Sequence, residues 1–249
     1  MPLPDGTTAE AHARNGWFNT TNWSVVLEAG RSDSEPAAAA LARLCQTYWF
    51  PLYAYVRRLG HNPEDAQDLT QEFFARLLEG EYLKSVQPGK GKFRSFLLVA
   101  LKRFLVNEWR RSNRLKRGGG LEVISLDAQD TENRYLSEPV DAMSPEKAFE
   151  RRWALTLLDQ VLLRLEAEFA ASGKAGLFQE LKWFLGGDTA GASYAESSRK
   201  LEMTEGALRV AVHRFRQRYR ELLRLEIANT VGSPEEVDDE IEHLFAALA

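Results

Sequence analysis

The 249-residue chain has a single cysteine, Cys45, and four histidines, His12, His61, His213 and His243, at spacings that gather them nowhere. One thiol excludes an internal disulfide framework and any cysteine-based zinc site. With no histidine at a supporting spacing, Cys45 reads as a core residue rather than a nucleophile. Apolar runs such as Phe96 to Leu101 are only a few residues long, whereas a membrane span needs roughly 20. The first sixteen residues lack a basic segment followed by an apolar stretch, so no secretory signal is expected. No membrane insertion and a cytoplasmic location follow as expectations. No nucleophile constellation or metal cluster is visible, and Gly89-Lys90-Gly91-Lys92 is too short for a P-loop. The chain is therefore not expected to be an enzyme or to hold a cofactor or metal.

What is present is ordinary globular material, 44% hydrophobic and 27% charged, in a length that suits one large or two small domains. Apolar spacings of three and four dominate and β-branched alternation is nearly absent, so the fold class is all-α. The pattern predicts helices over 36–59, 63–79, 92–112, 144–171, 176–186, 192–201, 204–227 and 234–248, with a weak one near Thr21–Gly30. Asn62-Pro63, Ser144-Pro145 and Ser233-Pro234 each join an N-cap side chain to proline at the first helical position. Ser233 with Glu236 reads as a capping box. Pro51 is expected to kink the first helix. The stretch Gly118 to Met143 opens on three glycines and lacks helical period, so it reads as a linker. The expected organisation is an extension over 1–35, a helical lobe over 36–117, a linker over 118–143, a second lobe over 144–228 and a C-terminal helix within 229–249.

A formal net charge of −4 conceals a strong pattern. Residues 89–117 hold ten Lys or Arg against Glu108 alone, whereas 118–148 hold seven acids against Arg134 and Lys147. Residues 199–225 are basic again, with eight cations and three acids, and 233–249 carry six acids and no Lys or Arg. Two basic segments are thus separated by an extended acidic linker and followed by an acidic tail.

In the second lobe, Ser193–Leu201, Glu202-Met203 and a helix capped by Thr204 have helix-turn-helix spacing. Ala195, Leu201, Ala207, Leu208, Val212 and Phe215 form the expected seam between the two helices. Glu205, Gly206, Arg209, Val210, His213 and Arg214 are left outward, placed to enter a major groove. A guanidinium donates two hydrogen bonds to guanine, which makes Arg209 the base-edge candidate. Arg199, Lys200, Arg214 and Arg218 read as phosphate contacts. A basic, solvated helix hairpin is the plainer explanation of the same pattern.

In the first lobe, cations and aromatics interleave from Gly91 to Arg114, a mixture suited to unpaired bases, since cations track the backbone and rings stack on bases. Phe96, Leu97, Val99, Ala100, Phe104 and Leu105 read mostly as core. Lys92, Arg94, Lys102, Arg103, Trp109, Arg110 and Arg111 remain as exposed candidates. On the preceding helix Ala66, Leu69, Phe73 and Leu77 form the inward stripe, so Asp65, Asp68, Gln71, Glu72 and Arg76 face outward, where a solvated acidic face is the ordinary reading.

The segments DAQDLTQEFFARLL and GKFRSFLLVALKRFLVNEWRR, followed after a linker by SYAESSRKLEMTEGALRVAVHRFRQRYRELL, together resemble a bacterial RNA polymerase sigma factor of the sigma-70 family, in the extracytoplasmic-function group. The resemblance covers about 36–117 as region 2 and 146–227 as region 4. It implies two helical lobes joined by an acidic linker that threads toward the polymerase active centre. It implies docking on the clamp helices of the β′ subunit through Asp65, Asp68, Gln71 and Glu72, with the β flap as a further contact. Melting of the −10 element and capture of a flipped base would fall to the loop 84–92 and the helix after it, with Lys90, Lys92, Arg94, Lys102, Arg103, Trp109, Arg110 and Arg111. Reading of the −35 element would fall to Arg199, Lys200, Thr204, Glu205, Gly206, Arg209, Val210, His213, Arg214 and Arg218. The implied partners are core RNA polymerase and promoter DNA, duplex and single-stranded, with room for an anti-sigma factor or other regulator. The competing reading is a helix-turn-helix regulator of duplex DNA that never docks on polymerase. Two parts fall outside the resemblance, the N-terminal extension and the acidic C-terminal helix. That helix gathers Val237, Ile241, Leu244, Phe245 and Leu248 on one face. It therefore needs a partner: packing on the second lobe, a regulatory surface, or occlusion of the basic recognition helix.

Overall fold

A computed structural model of the chain describes residues 35–79, 92–115, 135, 143–186 and 193–249, with side chains from Thr47 onward except at 78 and 112–115. The N-terminal extension, Cys45's side chain, Lys90 with its loop, and most of the 118–143 linker lie outside the described residues. Every regular element among the described residues is helical: α1 Glu35–Arg58, α2 Pro63–Leu78, α3 Phe93–Leu115, α4 Pro145–Ala171, α5 Ala175–Leu181, α6 Tyr194–Lys200, α7 Glu205–Ala228 and α8 Glu236–Leu248.

The caps explain the starts. Asn62 Oδ1 accepts the Asp65 amide at 2.7 Å, Ser144 Oγ that of Lys147 at 3.3 Å, and Thr204 Oγ1 that of Ala207 at 3.2 Å. Each satisfies one of the first-turn donors that a helix leaves unpaired. The expected Ser233–Glu236 capping box does not form. Instead Glu236 starts the helix and its carboxylate accepts the Gly232 amide at 3.0 Å. α1 runs unbroken through Pro51. The helix expected over 176–186 stops at Leu181 and tightens into a 3-10 turn, Lys182–Phe184, whose Phe184 carbonyl accepts from Arg216 Nε at 2.8 Å.

The described residues form two compact units, one of those up to Thr156 together with Ile227–Ala249, the other of those within Leu157–Glu226. This differs from a division at the linker. The opening half of α4 and the whole C-terminal segment belong to the first unit, because their apolar residues fill its core. Tyr48, Leu52, Val56, Phe73, Leu77, Phe93, Leu97, Leu101 and Phe104 are buried there with Phe149 and Trp153 of α4 and with Ile227, Val231, Val237 and Leu244. Tyr48 meets Phe93 edge-on at 5.1 Å and Phe73 meets Phe104 at 5.8 Å.

The second unit packs around Phe215, whose ring lies 5.4 Å from Phe169 and 5.8 Å from Phe178, with Leu165, Leu181, Leu208 and Val212 also buried. Edge-to-face contacts of this kind add to the area each ring removes from water. Truncating the central ring leaves a cavity among Phe169, Phe178 and their buried neighbours. Phe215→Ala is therefore expected to cost the second unit about 3–5 kcal/mol, read as loss of its cooperative transition in calorimetry while the first unit's transition remains.

Candidate nucleic-acid interfaces

In the first unit, α2 turns Ala66, Thr70, Phe73, Phe74 and Leu77 inward and leaves Asp65 and Asp68 exposed. The four docking candidates are not equivalent. Asp65 is engaged with its own cap, since Asn62 Nδ2 donates to Asp65 Oδ2 at 3.0 Å. Gln71 and Glu72 are half-buried. Glu72 accepts from Arg76, which also reaches Glu108 at 2.8 Å, and Arg111 lies 3.6 Å from Glu72 and 3.7 Å from Glu108. This ionic cluster ties α2 to α3. Asp68 remains exposed, with no ion pair among the described residues.

The basic run on α3 is sorted by its partners. Lys102 Nζ sits 2.8 Å from Glu146 at the start of α4. That hydrogen bond raises the Lys102 pKa and lowers that of Glu146. Arg111 belongs to the cluster with Glu72. Arg94, expected as an exposed contact, is buried, and this is a correction. Its Nε lies 2.6 Å from Glu240 Oε1, its Nη1 lies 3.1 Å from Glu150, and its guanidinium covers the Trp153 ring at 5.1 Å. Lys92 is corrected in the same way, with Nζ 2.7 Å from Glu240 Oε2. A buried guanidinium needs such pairing, because an unpaired buried charge is prohibitively costly. Left on the surface are Arg103 and Arg110, with no ion pair among the described residues, and Trp109 at 66% exposure. Val99 and Val106 join them, each 49% exposed where Val99 was expected in the core. Val99, Arg103, Val106 and Arg110 follow the i, i+4, i+7, i+11 spacing of one helix face, with Trp109 at its border.

In the second unit α6, the Glu202-Met203 turn and α7 form the helix-turn-helix. Glu202 adopts φ 53°, a left-handed conformation that reverses the chain, and the Met203 amide closes the turn on the Ser198 carbonyl at 2.9 Å. The seam differs from the expected one. Ala195 and Ala207 are exposed, and the buried residues are instead Ser197 and Ser198 of α6 and Leu208, Val212 and Phe215 of α7. Both hydroxyls are satisfied, Ser197 donating to Glu180 at 3.3 Å and Ser198 to the Ala195 carbonyl at 3.1 Å. That pairing is what permits their burial.

The outward set of α7 is as expected: Glu205, Gly206, Arg209, Val210, His213 and Arg214 are all exposed. Arg209 lies over the Tyr194 ring at 5.3 Å and 3.9 Å from Glu205, with its side chain 68% exposed. Its guanidinium is therefore steered by Tyr194 and Glu205 while most of the side chain stays open to solvent. Arg199 is exposed with Nε on the Ala195 carbonyl at 3.1 Å, and Lys200 reaches Glu196 and Glu180 at 3.7 and 3.8 Å. Arg218, expected as a phosphate contact, is engaged within the unit. It donates two hydrogen bonds to Glu168, both at 2.8 Å, and a third to Glu221 at 3.1 Å.

The carboxylates that decide these outcomes, Glu146, Glu150, Glu168 and Glu240, were missed from the sequence. Only Glu240 carried a readable signal, an acid three residues after Val237 and four before Leu244 on the apolar face of its helix.

Comparison with known proteins bears on the first unit above all. Residues 46–115 match the family model described as Sigma-70 region 2. Over 182 residues, 73% of this chain, the sequence is 27% identical to the ECF RNA polymerase sigma factor SigE of Mycolicibacterium smegmatis. The chain spans 61% of that relative's length. No solved structure matches the chain.

The fork from Arg218 to Glu168 generates a prediction that separates a structural from a DNA-binding role. Hydrogen bonds from Arg218 hold the Glu168 carboxyl below its ordinary value of 4.5. The stability this provides is present above that value and is lost as pH falls through the lowered one. The pair is partly solvated, so Arg218→Ala is expected to cost on the order of 1 kcal/mol at neutral pH. The difference from the parent should shrink as the pH of urea titrations falls below 4.5. A variant equally stable at pH 7 but with a shallower salt dependence of duplex binding would return Arg218 to the phosphate contacts.

Proposed function

We propose that the chain is a sigma factor of the sigma-70 family, in the extracytoplasmic-function group, which binds core RNA polymerase and directs promoter recognition, −10 melting and the start of transcription. The observation that carries the reading is the pairing of two chemically different surfaces on adjoining helices of one unit. α2 offers the exposed carboxylate of Asp68, and α3, tied to it through Arg76, Glu108, Glu72 and Arg111, offers exposed cations interleaved with exposed apolar side chains. A repressor of duplex DNA has no use for the second surface.

In this reading Asp65, Asp68, Gln71 and Glu72 face the β′ clamp helices, with Asp68 supplying the unengaged charge. Arg103 and Arg110 track the phosphates of the displaced strand while Trp109, Val99 and Val106 take the faces of unstacked bases. Lys102 and Arg111 are already engaged with carboxylates and add little. In the second unit the start of α7 enters the major groove at the −35 element. Arg209 reads a base edge, and Arg199, Lys200 and Arg214 hold phosphates. Thr204 serves as the cap that fixes the helix start. The acidic linker occupies the RNA path, where a polyanion mimics the transcript. Such a factor works in the cytoplasm beside core polymerase, and no described helix is long and apolar enough to cross a membrane.

Run-off transcription with core polymerase on a genomic DNA library tests the reading directly. Asp68→Lys is expected to weaken binding to core polymerase by about tenfold or more, since like charges set face to face cost several kcal/mol. Retention equal to the parent in a pull-down removes the docking assignment. Arg209→Ala is expected to reduce discrimination at one −35 base pair by about 1–3 kcal/mol. Binding to promoters mismatched at that pair should change little, and an equal loss on matched and mismatched duplexes would make Arg209 a phosphate contact.

A further inference from the structure

α3 begins badly on its own sequence. The residue before it, Lys92, has no side-chain acceptor to cap a first-turn amide, and the first turn carries no acid. A helix N-terminus has a partial positive charge and unpaired donors. Here it is flanked by two further cations, Lys92 and Arg94. Unaided, this end would fray.

The chain's C-terminal segment supplies what is missing. The Thr230 carbonyl accepts the Phe93 amide at 3.0 Å. Glu240 of α8, fully buried, places one carboxylate oxygen 2.6 Å from Arg94 Nε and the other 2.7 Å from Lys92 Nζ. Val231, Val237 and Leu244 are buried on either side of it in sequence and hold the segment down. An acceptor and a negative charge thus arrive at the N-terminus of α3 from residues more than a hundred positions away. Residues 230–244 act as a cap made at long range.

We infer that Glu240 is a positioning residue for −10 recognition: by capping α3 and consuming the charges of Lys92 and Arg94, it holds straight and ordered the helix that presents Arg103, Val106, Trp109 and Arg110. This rests on the function proposed above and deepens it, assigning the acidic tail to single-strand recognition instead of to occlusion of the recognition helix. The tail is a support, so its loss weakens the DNA surface.

The experiment compares the full-length chain with Glu240→Gln, Glu240→Asp and Lys92→Ala. Amide hydrogen exchange over Phe93–Leu97 reads the cap alone, and anisotropy with a labelled random single-stranded DNA pool at low salt reads its consequence. A labelled random duplex serves as control for the second unit. Glu240→Gln keeps shape and removes charge, and is expected to speed exchange over Phe93–Leu97 by about tenfold. Single-strand affinity should fall several-fold while duplex affinity stays constant, and Glu240→Asp should recover part of both. Lys92→Ala removes one of the two cations that meet the buried Glu240 carboxylate, so it too is expected to speed exchange over Phe93–Leu97. Unchanged exchange in Glu240→Gln overturns the cap. Faster exchange with unchanged or tighter single-strand binding overturns the positioning role, the tighter case marking the tail as an inhibitor. If the parent chain itself ignores single strands, the proposed function fails, while the exchange result still decides the cap.

Discussion

A carboxylate with no access to water is the constraint around which the first unit is arranged. Glu240 sits on the apolar face of α8, and burial of an unpaired carboxylate would outweigh what Val237 and Leu244 gain beside it. The helix can therefore bury that face only where cations meet the acid, and Lys92 and Arg94 at the start of α3 do so. Arg94 brings further consequences. Its third donor takes Glu150, and its flat face takes Trp153, so α4 is fixed by the same guanidinium. One ionic knot thus joins three helices drawn from distant parts of the chain.

Ion pairing also decides which cations a basic segment offers to a partner. Of the α3 cations described, Lys92 and Arg94 are spent on Glu240, Lys102 on Glu146 and Arg111 on Glu72 and Glu108. Arg103 and Arg110 stay on the surface beside exposed apolar side chains. In α7 Arg218 is paired with Glu168, while Arg209 and Arg214 stay exposed in the N-terminal half of the helix. A chain with net charge −4 thus keeps local positive faces, because acids pair with the structural cations and leave others exposed on two helices.

The aromatics divide by the same logic of demand. Phe93, Phe104 and Trp153 sit in the first core and Phe178 and Phe215 in the second, while Trp109 stays at the surface among cations.

Among the described residues, the order of the helices and most of their boundaries were legible in the sequence because they depend on local quantities: apolar period, with Asn62, Ser144 and Thr204 as caps. The outward face of α7 was legible for the same reason, since a helix of known start has a fixed face. Long-range pairing was not legible. A sequence shows that Lys92 and Arg94 are basic, but whether they meet solvent or a carboxylate depends on which residues the fold brings within 3 Å, and Glu240 is more than a hundred positions away. The C-terminal helix shows the boundary most clearly: its amphipathic face determined that it had to dock, and the sequence left the second lobe as a candidate host. Only the tertiary structure, by offering two cations and an uncapped helix start in the first unit, decided where a face carrying one acid could be buried.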